Sequence, residues 1–172
     1  MLTPEQEKWI ETLSSDRTIS IVPYDPRTEE LFDRVRDKIK GVLGPDINVC
    51  HVGASSFGIS GQDEIDVQVP VEIEKFPVYI PLLEIIFGEV RKIYPTRVRF
   101  EVKEDGKKID FALVDANNED WLNHVRFQNY MKNHPLELER YRTLKEELNG
   151  MTVKEYYRRK TEYINEILDL AN

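Results

Sequence analysis

Two short stretches of this sequence hold residue types whose spacing can do chemistry. In Asp63-Glu64-Ile65-Asp66-Val67-Gln68-Val69, carboxylates recur two residues apart. Positions i and i+2 of a β-strand project from one face, so Glu64 and Asp66 can share a hard divalent cation such as Mg²⁺ or Mn²⁺. Just upstream, Val52-Gly53-Ala54-Ser55-Ser56-Phe57-Gly58 is a turn of small residues. Glycine and serine there let backbone N–H groups and hydroxyls approach phosphate oxygens closely. Metal held by carboxylates beside a phosphate-binding turn can orient a triphosphate for in-line attack by a hydroxyl. The same spacing also serves a purely structural turn before a half-exposed strand, and by itself it leaves both readings open.

The elements that must position these residues follow from periodicity. Glu64 to Val71 alternates, with Ile65, Val67, Val69 and Val71 on one face and Glu64, Asp66 and Gln68 on the other. Ile47 to Val52 reads as the strand before the turn, and Ile19 to Val22 as a brief strand or extended segment. Arg97–Val102 and Lys108–Val114 flank Asp105-Gly106, a hairpin signal. Thr3, Pro4 and Gln6 begin an amphipathic helix with a capping box. A second helix starts at Asp25-Pro26, carries Leu31, Phe32, Val35 and Ile39 at helical spacing, and stops at Gly44-Pro45. A third spans 78–90 and packs on the sheet. Three more are predicted over 121–133, 136–148 and 153–171, broken by His134-Pro135 and Asn149-Gly150, with Thr152 and Glu155 as a capping box. The expected class is therefore α+β, not a regular βαβ alternation. It divides into an N-terminal helix (1–18), an α/β core (19–118) and a C-terminal helical extension (119–172) that packs on the core as a single structural unit.

At His51 to Val69 the chain resembles the nucleotidyltransferase superfamily signature: a hydrophobic residue, glycine, a small residue, a gap, then Asp-hydrophobic-Asp/Glu. More narrowly, it resembles the GrpB-like family from residue 19 onward. Ile21-Val22-Pro23-Tyr24-Asp25-Pro26 with Leu31-Phe32 matches the family's opening, and His51-Val52-Gly53-Ala54-Ser55-Ser56 its glycine turn. Phe127 to Pro135 resembles its "FRDYLRxHP" helix, and Tyr141, Leu144-Lys145, Tyr156, Lys160, Ile164 and Leu168 its closing helices. The resemblance implies a nucleotidyltransferase-like mixed sheet with packed helices, a C-terminal helical tail and a nucleotide site. It also implies a third metal carboxylate from a neighbouring strand, which Asp110 in Lys108-Ile109-Asp110-Phe111 can supply. The site so implied has Glu64, Asp66 and Asp110 as metal-binding and catalytic carboxylates, with Gly53, Ser55, Ser56, Lys145 and Lys160 toward phosphates. The chain departs from the pattern at Ala54, where the family carries serine, and at Gln68, where a second carboxylate is expected. Glu64 with Asp66 is the alternative pair.

His51, His124 and His134 are far apart in sequence, which argues against a histidine-rich metal cluster. His51 is expected to hydrogen-bond at a strand end, His134 to organise a helix break, and Cys50 to be a small buried hydrophobe. Tyr141, Tyr156 and Tyr163 read as packing residues. With Lys+Arg 24 against Asp+Glu 32, the net charge is −8, which disfavours an extended nucleic-acid footprint. No apolar run reaches the roughly 18 residues a membrane span needs. With one cysteine and no basic-then-apolar leader at the N-terminus, a cytoplasmic location is the default expectation. The sequence leaves the oligomeric state open. Two functions follow: Mg²⁺- or Mn²⁺-dependent transfer of a nucleotidyl group from a nucleoside triphosphate to an unidentified hydroxyl acceptor, or a non-catalytic module binding a nucleotide or another phosphorylated small molecule on the same scaffold.

Overall fold

The computed structural model describes residues 1–171. Its chain separates into a sheet unit (24–59 and 63–122) and a helical unit (1–23, 60–62 and 123 onward). Between them they hold α1 (Pro4–Glu11), α2 (Arg27–Leu43), β1 (Cys50–Val52), α3 (Gly53–Ser56), β2 (Glu64–Val71), α4 (Phe76–Phe87), β3 (Lys92–Tyr94), β4 (Arg97–Glu104), β5 (Lys107–Asp115), α5 (Glu119–Asn133), α6 (Pro135–Glu147) and α7 (Val153–Leu170). A 3₁₀ turn, Ile73–Lys75, leads into α4. The class is α+β, as the residue pattern predicts, and the sheet is mixed, as the family resemblance implies.

In the sheet unit the strands lie in the order β1-β2-β5-β4-β3. β2 and β5 are parallel, and the other pairs are antiparallel. Alternation sorts the faces. Ile65, Val67, Val69, Val98, Phe100, Ile109, Phe111 and Leu113 point to one side, where Leu31, Val35 and Ile39 of α2 and Phe76, Leu83 and Phe87 of α4 complete a dry core. Phe87, Phe100 and Phe111 form its aromatic centre, with centroids 5.0–6.4 Å apart. Glu64, Asp66 and Gln68 of β2 and Lys108 and Asp110 of β5 carry polar groups to the other side. Asp105 and Gly106 both take positive φ (51° and 80°), the two-residue turn that an Asp-Gly pair favours and that matches strand twist. This turn sets the register Glu104↔Lys107, and so Glu101↔Asp110.

The helical unit packs Ile10, Phe127, Met131, Tyr141, Leu148, Tyr156, Tyr163 and Ile167. Tyr141 and Tyr163 stack at 5.4 Å, and Phe127 meets Tyr141 edge-on, so these tyrosines do pack. Thr3 and Gln6 form the expected reciprocal capping box. Thr152 caps α7 by accepting from the Glu155 N–H at 3.1 Å. α1 is bound to α7 through Arg158–Glu7 (2.8 Å) and Lys154–Glu11 (2.6 Å). His134 stacks on Tyr130 and its Nδ1 lies 2.8 Å from the Tyr130 carbonyl, at the break between α5 and α6.

Several boundaries differ from the sequence reading. Residues 19–22 form no strand: Val22 makes only an isolated bridge to Gly61, with Thr18 bridged to Thr152. β1 begins at Cys50 rather than Ile47 because only three residues find partners on β2. The helix expected over 78–90 starts at Phe76 and ends at Phe87, where Gly88 takes φ 79°. β3 was not expected. Its three residues are strand-like only through pairing with Arg97–Arg99.

Candidate functional site

β2 places Glu64, Asp66 and Gln68 on the polar face, each partly buried. Because β5 runs parallel beside it, Asp66 lies directly across from Asp110, and Glu64 across from Lys108. Residues paired across neighbouring strands share a face, so Asp110 projects to the same side as Asp66. On the other flank, Val52 of β1 pairs with Asp66, and the chain turns at once into α3. Gly53 makes that turn at φ 73°, and a methyl group built on it would overlap Asp66 Oδ2 and sit 3.1 Å from Cγ. Only glycine allows both the left-handed backbone and this approach. The Gly53 turn, Asp66 and Asp110 therefore form one continuous arrangement.

The outer carboxylates are committed to cations. Arg99 grips Asp110 with two hydrogen bonds, Nε to Oδ1 at 3.1 Å and NH2 to Oδ2. Burial opposes the charge on Arg99, but the Asp110 contact outweighs it and raises its pKa. Lys108 Nζ donates to Glu64 Oε2 at 2.9 Å and lies 3.6 Å from Glu101 Oε2. Burial again works against the ammonium, and the Glu64 bond and charge hold its pKa above the ordinary value. At the start of the strands, buried Lys107 donates to Asp63 and sits 3.2 Å from Asp25. That contact fixes where β2 enters beside β5.

The serines have structural partners. Ser56 Oγ donates to the Gly53 carbonyl at 2.8 Å. Ser55 is buried, with Oγ 2.9 Å from His51 Nε2. His51 pairs with Val67, which faces the core. Its ring accordingly lies on the helix-covered side, stacked on Phe32 at 4.6 Å, as a strand-end hydrogen-bonding role requires. Cys50 is only partly buried, not enclosed. Lys145 and Lys160 belong to the helical unit. Lys145 is buried with Nζ 5.5 Å from the Tyr141 ring centre, and Lys160 Nζ lies 5.4 Å from that of Tyr157.

Sequence reasoning missed Arg99 and Lys108. The signal was present in the alternation Arg99-Phe100-Glu101 and Lys108-Ile109-Asp110, which the Asp105-Gly106 turn brings into register on the polar face. Two neighbouring carboxylates, Asp66 and Asp110, suit a single divalent cation. A full two-metal centre does not fit the residues as placed. Among the described residues no group of three or more His, Cys, Asp or Glu is positioned to hold a metal, Gln68 is neutral, and Glu64 is held by Lys108.

Comparison with known proteins places this arrangement in context. The family model described as "GrpB protein" matches residues 18–170. The UPF0157 protein BH1888 of Halalkalibacterium halodurans is 26% identical over 162 residues, covering 90% of this chain and 83% of that protein. The crystal structure of the conserved protein GrpB from Enterococcus faecalis is similar at TM-score 0.69 and 25% identity, covering 88% of this chain and 96% of the other. A weaker likeness, TM-score 0.44 and 13% identity, is to Cid1 poly(U) polymerase bound to MgGTP, over 83% of this chain and 49% of that one.

Proposed function

The chain belongs to the GrpB family, and from the site it carries we propose that it binds a nucleoside triphosphate, or a closely related phosphorylated small molecule, as the complex with one Mg²⁺ or Mn²⁺ ion. The observation that carries this reading is the in-register pair Asp66–Asp110 beside the Gly53 turn. A phosphate approaching that turn meets the Asp66 carboxylate at once. Two anions at such range repel each other unless a cation lies between them. Asp66 and Asp110 are the residues that would hold the cation. The backbone of Gly53–Ser56 would meet the phosphates, with the Ser55 and Ser56 hydroxyls supporting the turn.

A second reading is nucleotidyl transfer, in which an acceptor hydroxyl attacks the α-phosphorus, pyrophosphate leaves and the hydroxyl proton passes to a carboxylate. Asp66, Glu64 and Asp110 would be its catalytic residues. It requires Glu64 to leave Lys108 as well as a cation to displace Arg99 from Asp110, whereas the binding reading needs only the second, and for that reason the binding reading stands first.

A thermal-shift screen of nucleoside triphosphates and non-nucleotide phosphates, with and without Mg²⁺ or Mn²⁺, tests the proposal. A ligand at about 100 times its Kd adds about 2.7 kcal/mol to the native state, or roughly 5–10 °C in Tm for a chain of this size. The expected result is a metal-dependent shift that Asp66→Asn abolishes. No shift with any triphosphate or phosphate refutes it. The same titration with Lys145→Ala and Lys160→Ala shows whether either ammonium contributes to phosphate binding. Release of pyrophosphate in the presence of candidate acceptors decides for transfer.

A further inference from the structure

α4 is the most apolar helix of the chain, and only one side of it is used. Phe76, Leu83 and Phe87 enter the core, while Val78 and Ile85 are 60% and 77% exposed. Exposed Pro81 and half-buried Leu82 lie between them. Spacings of four and three put Val78, Leu82 and Ile85 in one row along the helix. The edge strand β3 adds Ile93, 67% exposed. Ile93 pairs with Val98, whose side chain is buried in the core under α4, and so it lies on the same side of the sheet as the helix. A row of this kind on a folded surface marks a contact.

Its charged surroundings indicate what covers it. From 72 to 93 the chain has four acids (Glu72, Glu74, Glu84, Glu89) and three bases (Lys75, Arg91, Lys92), nearly balanced in a chain of net charge −8. Two copies of an acidic protein repel each other least where each is locally neutral. Both signs flank the row, with Glu84 on the helix, Glu74 and Lys75 in the 3₁₀ turn before it, and Arg91 and Lys92 at the edge strand. An isologous interface must be complementary to itself, and a two-fold axis through such a patch sets the acids of one copy against the bases of the other. We propose that two copies of this chain associate through this face, α4 against α4, around a two-fold axis, with Val78, Leu82, Ile85 and Ile93 as the buried centre and the charged residues as the rim.

Sedimentation equilibrium of the full chain over a concentration series tests this. The wild type is expected to approach twice 20.3 kDa at the upper end. Ile85→Glu and Val78→Glu should each weaken association at least about tenfold, since a charge is then buried without a partner. Both should retain the wild-type circular dichroism and, at concentrations low enough for the wild type to be monomeric, its Tm, because the side chains are exposed within one copy; Ile93→Lys replaces either variant that does not fold. Leu136→Glu, at an 85% exposed position of the helical unit, should leave the dimer intact. A wild type that stays at 20.3 kDa throughout overturns the proposal. So does a dimer that survives the folded face variants, or one that Leu136→Glu dissolves. A monomer that binds phosphatidylcholine vesicles through Ile85 would overturn it in favour of a lipid surface.

Discussion

Gly53 and Asp66 are locked together: the glycine backbone turns at φ 73° directly beneath the Asp66 carboxylate, whose Oδ2 fills the space that a side chain at 53 would need. The turn and the acidic strand are thus a single device. Moving Asp66 off the polar face would open the turn, and thickening the turn would displace Asp66.

Gly53→Ala should therefore cost more than a left-handed alanine alone, which is about 1–2 kcal/mol. Gly106→Ala supplies the reference, since φ there is 80° and nothing lies within 4 Å of an added methyl. The expected order in urea denaturation is wild type, then Gly106→Ala, then Gly53→Ala. Adding Asp66→Ala to Gly53→Ala should recover part of the difference as a coupling energy. Equal costs for the two glycine variants would show that the Asp66 approach is not tight.

Arg99 and a bound cation compete for Asp110. Two unit charges about 4 Å apart in a water-like dielectric interact by about 1 kcal/mol, close to a fivefold change in binding. Arg99→Gln should raise Mn²⁺ affinity by about that factor, as measured by electron paramagnetic resonance titration. Asp110→Asn should remove the gain when combined with it. A decrease in affinity for Arg99→Gln would place the metal elsewhere.

His124, beside Gln128 on α5, has its pKa pushed down from 6.5 to about 4, by burial first and by the Lys160 charge second. The folded state thus refuses a proton that the unfolded chain accepts. Stability is unaffected above pH 6.5 and falls as pH drops from 6.5 toward 4, by about 1–2 kcal/mol between pH 7 and pH 5. Denaturant unfolding of wild type and His124→Asn at pH 7, 6 and 5 should show the difference between them shrinking by that amount toward acid. Parallel pH profiles would show that His124 titrates normally.

The sequence by itself determined the faces and the breaks. Strict alternation in Glu64–Val71 means that Asp66 can only lie opposite the core once Ile65, Val67 and Val69 are buried. Asp105-Gly106 specifies a two-residue turn because both positions need positive φ. Thr3 with Gln6, His134-Pro135 and Gly44-Pro45 mark helix ends through local hydrogen bonding and backbone geometry. These are short-range preferences, legible without a partner. The tertiary structure decided what depends on pairing between distant segments. β3 exists because Arg97–Arg99 offers it backbone partners, and residues 19–22 lack strand structure because only Val22 finds a bridge. The parallel register of β2 and β5 set Asp66 against Asp110, while the hairpin brought Arg99 to Asp110, and Lys108 reached Glu64 across the sheet. No local rule fixes a register between strands some forty residues apart; it comes from fitting Ile65, Val67, Ile109 and Phe111 into one close-packed core. The sequence thus supplied three carboxylates, and that core determined that two stand side by side and that the outer two are held by cations.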